Sequence, residues 1–144
     1  MHRDPECIFC KIVSGQVPAN VVHEDQSTIA ILDVGPLAEG HLLVVPREHY
    51  SKLSDMPAQL AADLGSTFPL LGRAMMKVTS ASAFNVLCNE GDAAGQAVKH
   101  VHFHFIPRNA GDQLGYRWNS GEYPAGRAAS LAAAYQTAIA SDAS

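Results

Sequence analysis

The first third of the chain alternates short apolar runs with chain-breaking residues. Val21–His23, Thr28–Val34 and His41–Val45 are rich in β-branched and aliphatic residues, a composition typical of β-strands. Gly35-Pro36 ends the second run. Pro46 ends the third, because proline cannot donate a hydrogen bond to a neighbouring strand. The pattern therefore predicts three strands before residue 50.

The hydrophobic pattern changes period between residues 54 and 79. Apolar residues recur there at spacings of three and four, which predicts a helix with one face in the core. They are Leu60, Leu64, Phe68, Leu71, Met75 and Val78. Ser54 or Asp55 can cap the start of this helix, and Pro57 is tolerated in its first turn. Pro69 lacks a backbone N–H, so we expect it to kink or split the helix.

Two more strands and two shorter helices complete the prediction. Ala83–Cys88 and His100–Ile106 have strand-like patterns, and Pro107 follows the second. Ile8–Val13 predicts a short helix, and an alanine-rich helix is expected from about residue 126 to residue 139. Strands that follow one another with one long helix between them favour an α+β fold with an antiparallel sheet.

The length and composition restrict the class of protein. A chain of 144 residues fits a single domain, which we expect over 1–144, with a loose segment at 1–6 and a C-terminal loop and helix over 109–144. Apolar residues make up 47 % and no run approaches a membrane span, so we expect no membrane partner. The net charge of −4 disfavours general binding to nucleic acid, although backbone N–H groups can still hold one phosphate. Three cysteines, an odd number, and an N-terminus without a signal pattern favour the cytoplasm.

A row of alternating histidines is the strongest chemical feature. Residues 100–106 read His-Val-His-Phe-His-Phe-Ile, and alternate residues of a strand share a face. His100, His102 and His104 would therefore lie together, which favours a functional role for rings that titrate near neutrality. The three rings could hold a catalytic zinc. Alternatively, one neutral imidazole could attack phosphorus and form a covalent intermediate.

The loop from Asn89 to Ala97 leads into the histidine row. Its small residues, among them Gly91 and Gly95, let the backbone approach a ligand and point N–H groups at phosphate oxygens. Loops of this composition also occur as plain turns. The loop favours a phosphate site without establishing one.

The combination of Asn89-Glu90-Gly91, Gly95-Gln96 and the histidine row resembles the signature of the histidine triad family, in particular its small nucleotide phosphoramidase and hydrolase branch. The resemblance extends to four further segments. They are Cys7–Val13, Leu32-Asp33, Gly40-His41 and Pro46 with His49. It implies an α+β fold with a five-stranded antiparallel sheet, one long helix and a C-terminal helix.

The resemblance also implies a reaction. His102 would attack the α-phosphorus of a purine, AMP-like nucleotide phosphoramidate or dinucleotide polyphosphate, giving a nucleotidyl-histidine that water hydrolyses. The carbonyl of His100 would hold the tautomer of His102, and His104 would contact the phosphate or the leaving group. Asp33 would receive the ribose hydroxyls. His41 either supports these rings or is a buried structural residue.

The phosphate itself would be held by Asn89 and by the backbone of Gly95 and Gln96. Ala97 departs from the pattern, because several eukaryotic relatives carry a Ser or Thr there that binds phosphate. Alanine cannot make that hydrogen bond. We therefore expect its affinity or leaving-group preference to differ from theirs.

The Cys7-x-x-Cys10 pair has three interpretations from the residues alone: a redox pair, half of a zinc site, or two small buried residues. The resemblance to zinc-containing bacterial relatives implies that the pair joins His49 and His100 around a structural Zn2+, with no catalytic metal. A closed set of four protein ligands is the form that structural zinc takes.

Further expectations concern the assembly of the protein, two single residues and two rival functions. The resemblance implies a homodimer. Cys88 is expected to be a small core residue, and Trp118 to cover the site or the surface. Two rival functions are a metalloenzyme with zinc on the histidine row and a nucleotide-sensing or partner-binding module with little turnover.

Overall fold

The structure of the protein is a computed structural model that describes residues 1–115 and 120–142. It separates into two compact units, Met1–Leu114 and Gly115–Ser144. The first unit contains a five-stranded antiparallel sheet with strand order β1-β2-β3-β5-β4. The strands are β1 (Val21–Glu24), β2 (Thr28–Leu32), β3 (Leu42–Pro46), β4 (Ala83–Cys88) and β5 (Phe103–Arg108). This architecture confirms the predicted fold class.

Three helices accompany the sheet in the first unit. They are α1 (Ile8–Val13), α2 (Ala58–Ser66) and α3 (Phe68–Thr79). The predicted long helix is split as expected, because Pro69 lies in the first turn of α3, where its missing N–H breaks no hydrogen bond. The predicted caps Ser54 and Asp55 are wrong, since both lie in a separate 3-10 turn and Pro57 precedes α2. Val78, assigned to the core face, is 83 % exposed.

The sheet separates two layers of buried side chains. Because successive residues of a strand point to opposite faces, β2 and β3 contribute alternately to both layers. One layer packs against α2 and α3 and contains Ala30, Leu42, Val44, Leu64, Leu71, Met75 and Phe105. The other packs against α1 and contains Cys7, Phe9, Cys10, Val13, Ile29, Ile31, Leu43 and Val45.

The histidine row begins before the fifth strand. The sequence pattern predicts a strand over 100–106, whereas β5 pairs from Phe103 to Arg108 and includes Pro107. The segment at 100–102 uses its backbone elsewhere: the Val101 N–H donates to the carbonyl of Tyr50 (2.8 Å), and the His100 carbonyl accepts from a side chain. His104 is opposite Leu43 in the ladder and therefore faces the layer of α1.

The second unit contains the helix α4 (Arg127–Ala140), which begins after Gly126 and agrees with the predicted C-terminal helix. None of its residues is buried. Trp118 lies outside the described residues, so the expectation for it stays a prediction. Among the residues described, none of the helices has the length and apolar character needed to cross a bilayer.

Candidate active site and metal centre

His102 lies between the glycine-containing loop and β5 and is 6 % exposed. Its Nδ1 is 2.7 Å from the carbonyl oxygen of His100. Because a carbonyl oxygen only accepts hydrogen bonds, Nδ1 carries the proton, and the Nε2 of the neutral ring keeps a free lone pair. This is the tautomer that a nucleophilic imidazole requires.

A chain of hydrogen bonds fixes the tautomers of two further histidines. The Leu37 N–H donates to Nδ1 of His41 (3.0 Å), so the proton of a neutral His41 lies on Nε2. That Nε2 is 3.0 Å from Nδ1 of His104, which must therefore accept. The proton of His104 consequently lies on its own Nε2. His104 presents an N–H donor beside His102, the two ring centroids being 5.0 Å apart.

Asp33 joins this chain at His41. Its Oδ2 is 3.6 Å from Nε2 of His41, and its Oδ1 accepts from the Gly35 N–H (2.9 Å). The Asp33 side chain is 19 % exposed, so it can still receive donors from a ligand. Burial lowers the pKa of both His41 and His104 below the ordinary value, although the charge of Asp33 partly opposes this. Both rings are thus neutral at pH 7, as the hydrogen-bond chain requires.

The loop at 89–97 is shaped by its glycines and by one buried amide. Gly91 and Gly95 have φ values of +87° and +89°, a region that favours glycine. Gln96 is 6 % exposed, and its Nε2 donates to the carbonyls of Ser51 (2.8 Å) and Val98 (3.0 Å). Its Oε1 accepts from the Gly91 N–H (2.9 Å). The side chain of Gln96 therefore holds the loop against the segment that follows β3.

The hydrogen bonds within the loop change which of its groups we expect to hold phosphate. The N–H groups of Gly95 and Gln96 donate to the carbonyls of Asp92 (3.0 Å) and Gly91 (3.1 Å), so within the loop both are already engaged. Within residues 1–115, the Ala97 N–H has no hydrogen-bond partner. Asn89 lies beside Gly95, whose Cβ, if present, would be 3.9 Å from the Asn89 Nδ2.

Four potential metal ligands form a group that we call the metal cluster: Cys7, Cys10, His49 and His100, whose ligand atoms all lie within 4.8 Å of one another. Nδ1 of His100 is 3.3 Å from Sγ of Cys7, and Nδ1 of His49 is 3.4 Å from Sγ of Cys10. The two Nδ1 atoms are 3.1 Å apart. In a tetrahedral zinc centre with ordinary bond lengths, sulfur and nitrogen ligands lie about 3.6 Å apart and two nitrogens about 3.3 Å apart. The sulfur–nitrogen distances of 3.3, 3.4 and 3.6 Å and the nitrogen–nitrogen distance of 3.1 Å are close to these values.

The surroundings of His100 also suit a metal ligand. Its ring is fully buried, and its Nε2–H donates to the carbonyl of Pro46 (2.8 Å), which leaves the Nδ1 lone pair directed into the cluster. A backbone acceptor for the second ring nitrogen is the usual outer contact of a metal-bound histidine. Burial lowers the pKa of His100 to about 4, so the ring is neutral. His100 thus offers its ring to the cluster and its carbonyl to His102.

The first residues of the chain contribute to this cluster. The Asp4 N–H donates to Sγ of Cys10 (3.3 Å), and the His49 N–H donates to the carbonyl of His2 (2.8 Å). The segment at 1–6, which we expected to be loose, is therefore tied down at two points. An N–H donor to a cysteine sulfur stabilises the thiolate form that binds metal.

The structure brings the sequence-predicted residues into two neighbouring groups. His102, His104 and Asp33 lie with His41, while Cys7, Cys10, His49 and His100 form the metal set. Cys88, expected in the core, is half-buried at the end of the edge strand β4. Sequence reasoning missed the contacts made by Leu37, the Pro46 carbonyl and the Gln96 side chain.

Comparisons with known proteins identify the family of the chain. The HIT domain family model matches residues 14–111. An adenylylsulfatase of Arabidopsis thaliana is 42 % identical over 109 residues, covering 76 % of this chain and 55 % of that protein, so the match spans about half of the relative. An adenosine 5'-monophosphoramidase of Schizosaccharomyces pombe is 41 % identical over 119 residues, covering 82 % and 85 %. The chain belongs to the HIT domain family, as the resemblance implied.

A solved structure is also similar. A Zn-bound histidine triad family protein from Mycobacterium smegmatis has a TM-score of 0.73 and 36 % identity, covering 93 % of this chain and 97 % of that one. The similarity extends over nearly the whole of both chains and agrees with the predicted histidine triad fold.

Proposed function

We propose that the protein is a nucleotide hydrolase or transferase that cleaves at the α-phosphate of adenosine phosphoramidates or dinucleotide polyphosphates. The observation that carries the proposal is the 2.7 Å hydrogen bond from Nδ1 of His102 to the carbonyl of His100, because it leaves Nε2 as a free nucleophile. The names of two relatives, an adenylylsulfatase and an adenosine 5'-monophosphoramidase, support this substrate class.

The proposed reaction has two displacements at phosphorus. In the first, the lone pair of His102 Nε2 forms a bond to the α-phosphorus, and the bond from phosphorus to the leaving group breaks. The leaving group takes a proton from solvent, while the Nε2–H of His104, whose tautomer His41 fixes, donates a hydrogen bond to it. In the second, water attacks the same phosphorus, the phosphorus–nitrogen bond breaks, and its electron pair returns to His102. The proton released by that water passes to solvent.

Other residues would bind the nucleotide. Asp33 suits two adjacent ribose hydroxyls, because an ionised carboxylate only accepts hydrogen bonds. The unpaired Ala97 N–H and the Asn89 amide would hold phosphate oxygens, while Gly95 and Gln96 would act mainly by shaping the loop. The absence of a hydroxyl at Ala97 removes one phosphate donor relative to the family pattern.

Zn2+ in the cluster of Cys7, Cys10, His49 and His100 is the second part of the proposal. The donor set, its dimensions and the Pro46 acceptor support it, as does the Zn-bound relative. The metal would supply a structural cross-link between the N-terminal segment, the residues after β3 and the histidine row. Family resemblance also leads us to propose a homodimer in the cytoplasm, which sedimentation and fractionation would test.

A catalytic zinc on the histidine row is disfavoured by the hydrogen bonds. Among the described residues, two groups could hold a metal ion and His102 belongs to neither. The second group contains Asp33, His41 and His104. In this group, Nδ1 of His41 accepts a hydrogen bond from the Leu37 N–H, so the proton of the neutral ring lies on Nε2. Nε2 is the nitrogen that a metal ion would have to bind.

The decisive experiment is hydrolysis of adenosine 5'-phosphoramidate by the wild type, by His102→Asn and by the control His23→Asn, which changes a histidine outside both clusters. We expect His102→Asn to lower kcat by about 10⁴-fold or more while AMP binding persists, and His23→Asn to behave as wild type. Hydrolysis by His102→Asn at the wild-type rate would overturn the proposal. Binding without turnover in the wild type would favour the nucleotide-sensing module.

A further inference from the structure

Phe9 lies between the two cysteines of the metal cluster and contacts the ring of His102. The two ring centroids are 5.2 Å apart with an interplanar angle of 60°. The same phenyl ring meets the His100 ring edge-on, at 5.7 Å and 88°. Phe9 is 6 % exposed and belongs to the buried layer under α1.

These contacts restrict the orientation of the His102 ring, which its hydrogen bond to the His100 carbonyl does not fully determine. The His102 ring turns about two side-chain torsions, and the hydrogen bond from Nδ1 restrains only one distance, so part of the ring's orientation is left to its neighbours. Among the described residues, the rings of His104 and Phe9 both contact it. Since the direction of the Nε2 lone pair lies in the ring plane, the phenyl ring of Phe9 helps to aim it.

Helix α1, which carries Phe9, contacts the rest of the fold through the thiols of Cys7 and Cys10. Helix α1 has six residues and no side-chain hydrogen bond at its N-cap, Cys7. Isolated helices of this length are unstable, so anchors outside the helix must hold it. Cys7 and Cys10 are such anchors. The Cys7 thiol contacts the ring of His100, and the Cys10 thiol contacts the rings of His49 and His100.

We infer that Phe9 is a positioning residue, which holds the plane of the His102 imidazole while Cys7 and Cys10, bound to the metal, hold Phe9 in place. The inference rests on the proposed function, because it assigns a task to Phe9 only if His102 attacks phosphorus. The metal cluster then reaches the nucleophile by two routes: through the carbonyl of His100 and through the side chain of Phe9.

The test compares Phe9→Leu with the matched control Phe68→Leu. Phe68 packs against Phe103 and Phe105 on the other face of the sheet, so its loss removes similar aromatic contacts on the face that His104 does not share. At saturating adenosine 5'-phosphoramidate, we expect Phe9→Leu to form the nucleotidyl-enzyme about 10- to 100-fold more slowly than wild type, with unchanged zinc content. Phe68→Leu should keep the wild-type rate even where its melting temperature falls.

A spectroscopic signal separates positioning from general destabilisation. The imidazole resonances of His102, observed by NMR in protein labelled with 15N histidine, should broaden in Phe9→Leu, because the ring then samples several orientations, and should stay unchanged in Phe68→Leu. Phe9→Met keeps most of the side-chain volume without a flat ring, and it carries the same test if Phe9→Leu does not fold. A wild-type rate and unchanged His102 resonances in the Phe9 variant would overturn the inference.

The contribution of the metal cluster is tested by combining Phe9→Leu with Cys7→Ser. If both act through the same ring, the double variant should be no slower than the slower single variant. Rate losses that multiply would show independent effects and overturn the proposed link. Failure of the wild type to form any adduct would instead overturn the proposed function itself.

Discussion

Two histidine clusters adjoin His102, and they hold their rings in opposite ways. In the metal cluster, His100 donates its Nε2–H to the Pro46 carbonyl and directs an unprotonated Nδ1 at two sulfur atoms. In the second cluster, His41 accepts the Leu37 N–H on Nδ1 and therefore directs a protonated Nε2 at His104. A histidine ring thus presents a lone pair that suits a metal ion in one place and a hydrogen-bond donor in the other.

The difference shows that the outer hydrogen bond decides the chemistry of a buried histidine. A carbonyl acceptor leaves a lone pair at the opposite nitrogen, whereas an N–H donor leaves a proton there. His102 follows the first pattern, with the His100 carbonyl as acceptor and a free Nε2. Its lone pair is then available for phosphorus, because His102 lies outside both groups that could hold a metal in the described part of the chain.

The largest expected effect comes from breaking the metal cluster. We expect Cys10→Ser to lose zinc and to lower the free energy of unfolding by about 3 kcal/mol or more, since the cross-link between three segments is lost. Zinc content by mass spectrometry and thermal unfolding measure this. Cys88→Ser, which changes a half-buried cysteine outside the cluster, is the control. Full zinc content in Cys10→Ser would show that the cluster is not the metal site.

A substitution in the second cluster, which contains Asp33, His41 and His104, should lower the rate without releasing zinc. In His41→Leu, Nδ1 of His104 loses its donor, so the proton of His104 can move away from the leaving group. We expect kcat to fall by about 100-fold with zinc content unchanged. His41→Gln, whose amide can still donate a hydrogen bond, should recover part of the rate. A loss of zinc in His41→Leu would contradict the separation of the two clusters.

A smaller effect is expected at Asp33. Loss of its charge in Asp33→Asn should raise KM for adenosine 5'-phosphoramidate by about tenfold, because hydrogen bonds from ribose to an ionised acceptor are weakened. The 2'-deoxy substrate lacks one of these donors, so the penalty should be smaller with it. An equal penalty for both substrates would show that Asp33 acts on His41 and does not contact the ribose.

The smallest effect is a pH dependence. Burial lowers the pKa of His41 and His104 from 6.5, so the unfolded chain binds more protons than the folded protein just below that value. Their contribution to stability is therefore complete above about pH 6.5 and is lost as the pH falls. Melting temperatures from pH 7.5 to 5 should decline less steeply in His41→Leu than in the wild type. Parallel curves would contradict the assignment.

The strands and helices were largely predictable because their signals are local. Ile8–Val13 and Ala83–Cys88 match the structure residue for residue, and Pro69 correctly predicts the split between α2 and α3. The late start of β5 was not predictable, since it depends on a hydrogen bond between Val101 and the distant Tyr50. Local patterns carry no information on such pairings.

The candidate site was predictable in its residues and less so in its geometry. The alternating pattern places His102 and His104 close together, and family resemblance brings Cys7 and Cys10 to His49 and His100. Neither could show which nitrogen carries the proton at His41, because a turn backbone supplies the donor. The role of Gln96 was also hidden, since its partner Ser51 is 45 residues away.

The most direct measurement is to locate the covalent intermediate. Adenosine 5'-phosphoramidate is mixed with the enzyme, the reaction is quenched within the first turnover, and the intact and digested protein are analysed by mass spectrometry. A mass increase of one adenylyl group on the peptide containing His102, absent in His102→Ala, is the expected result. Turnover without any adduct, or an adduct on His104, would contradict the assignment of Nε2 of His102 as the nucleophile.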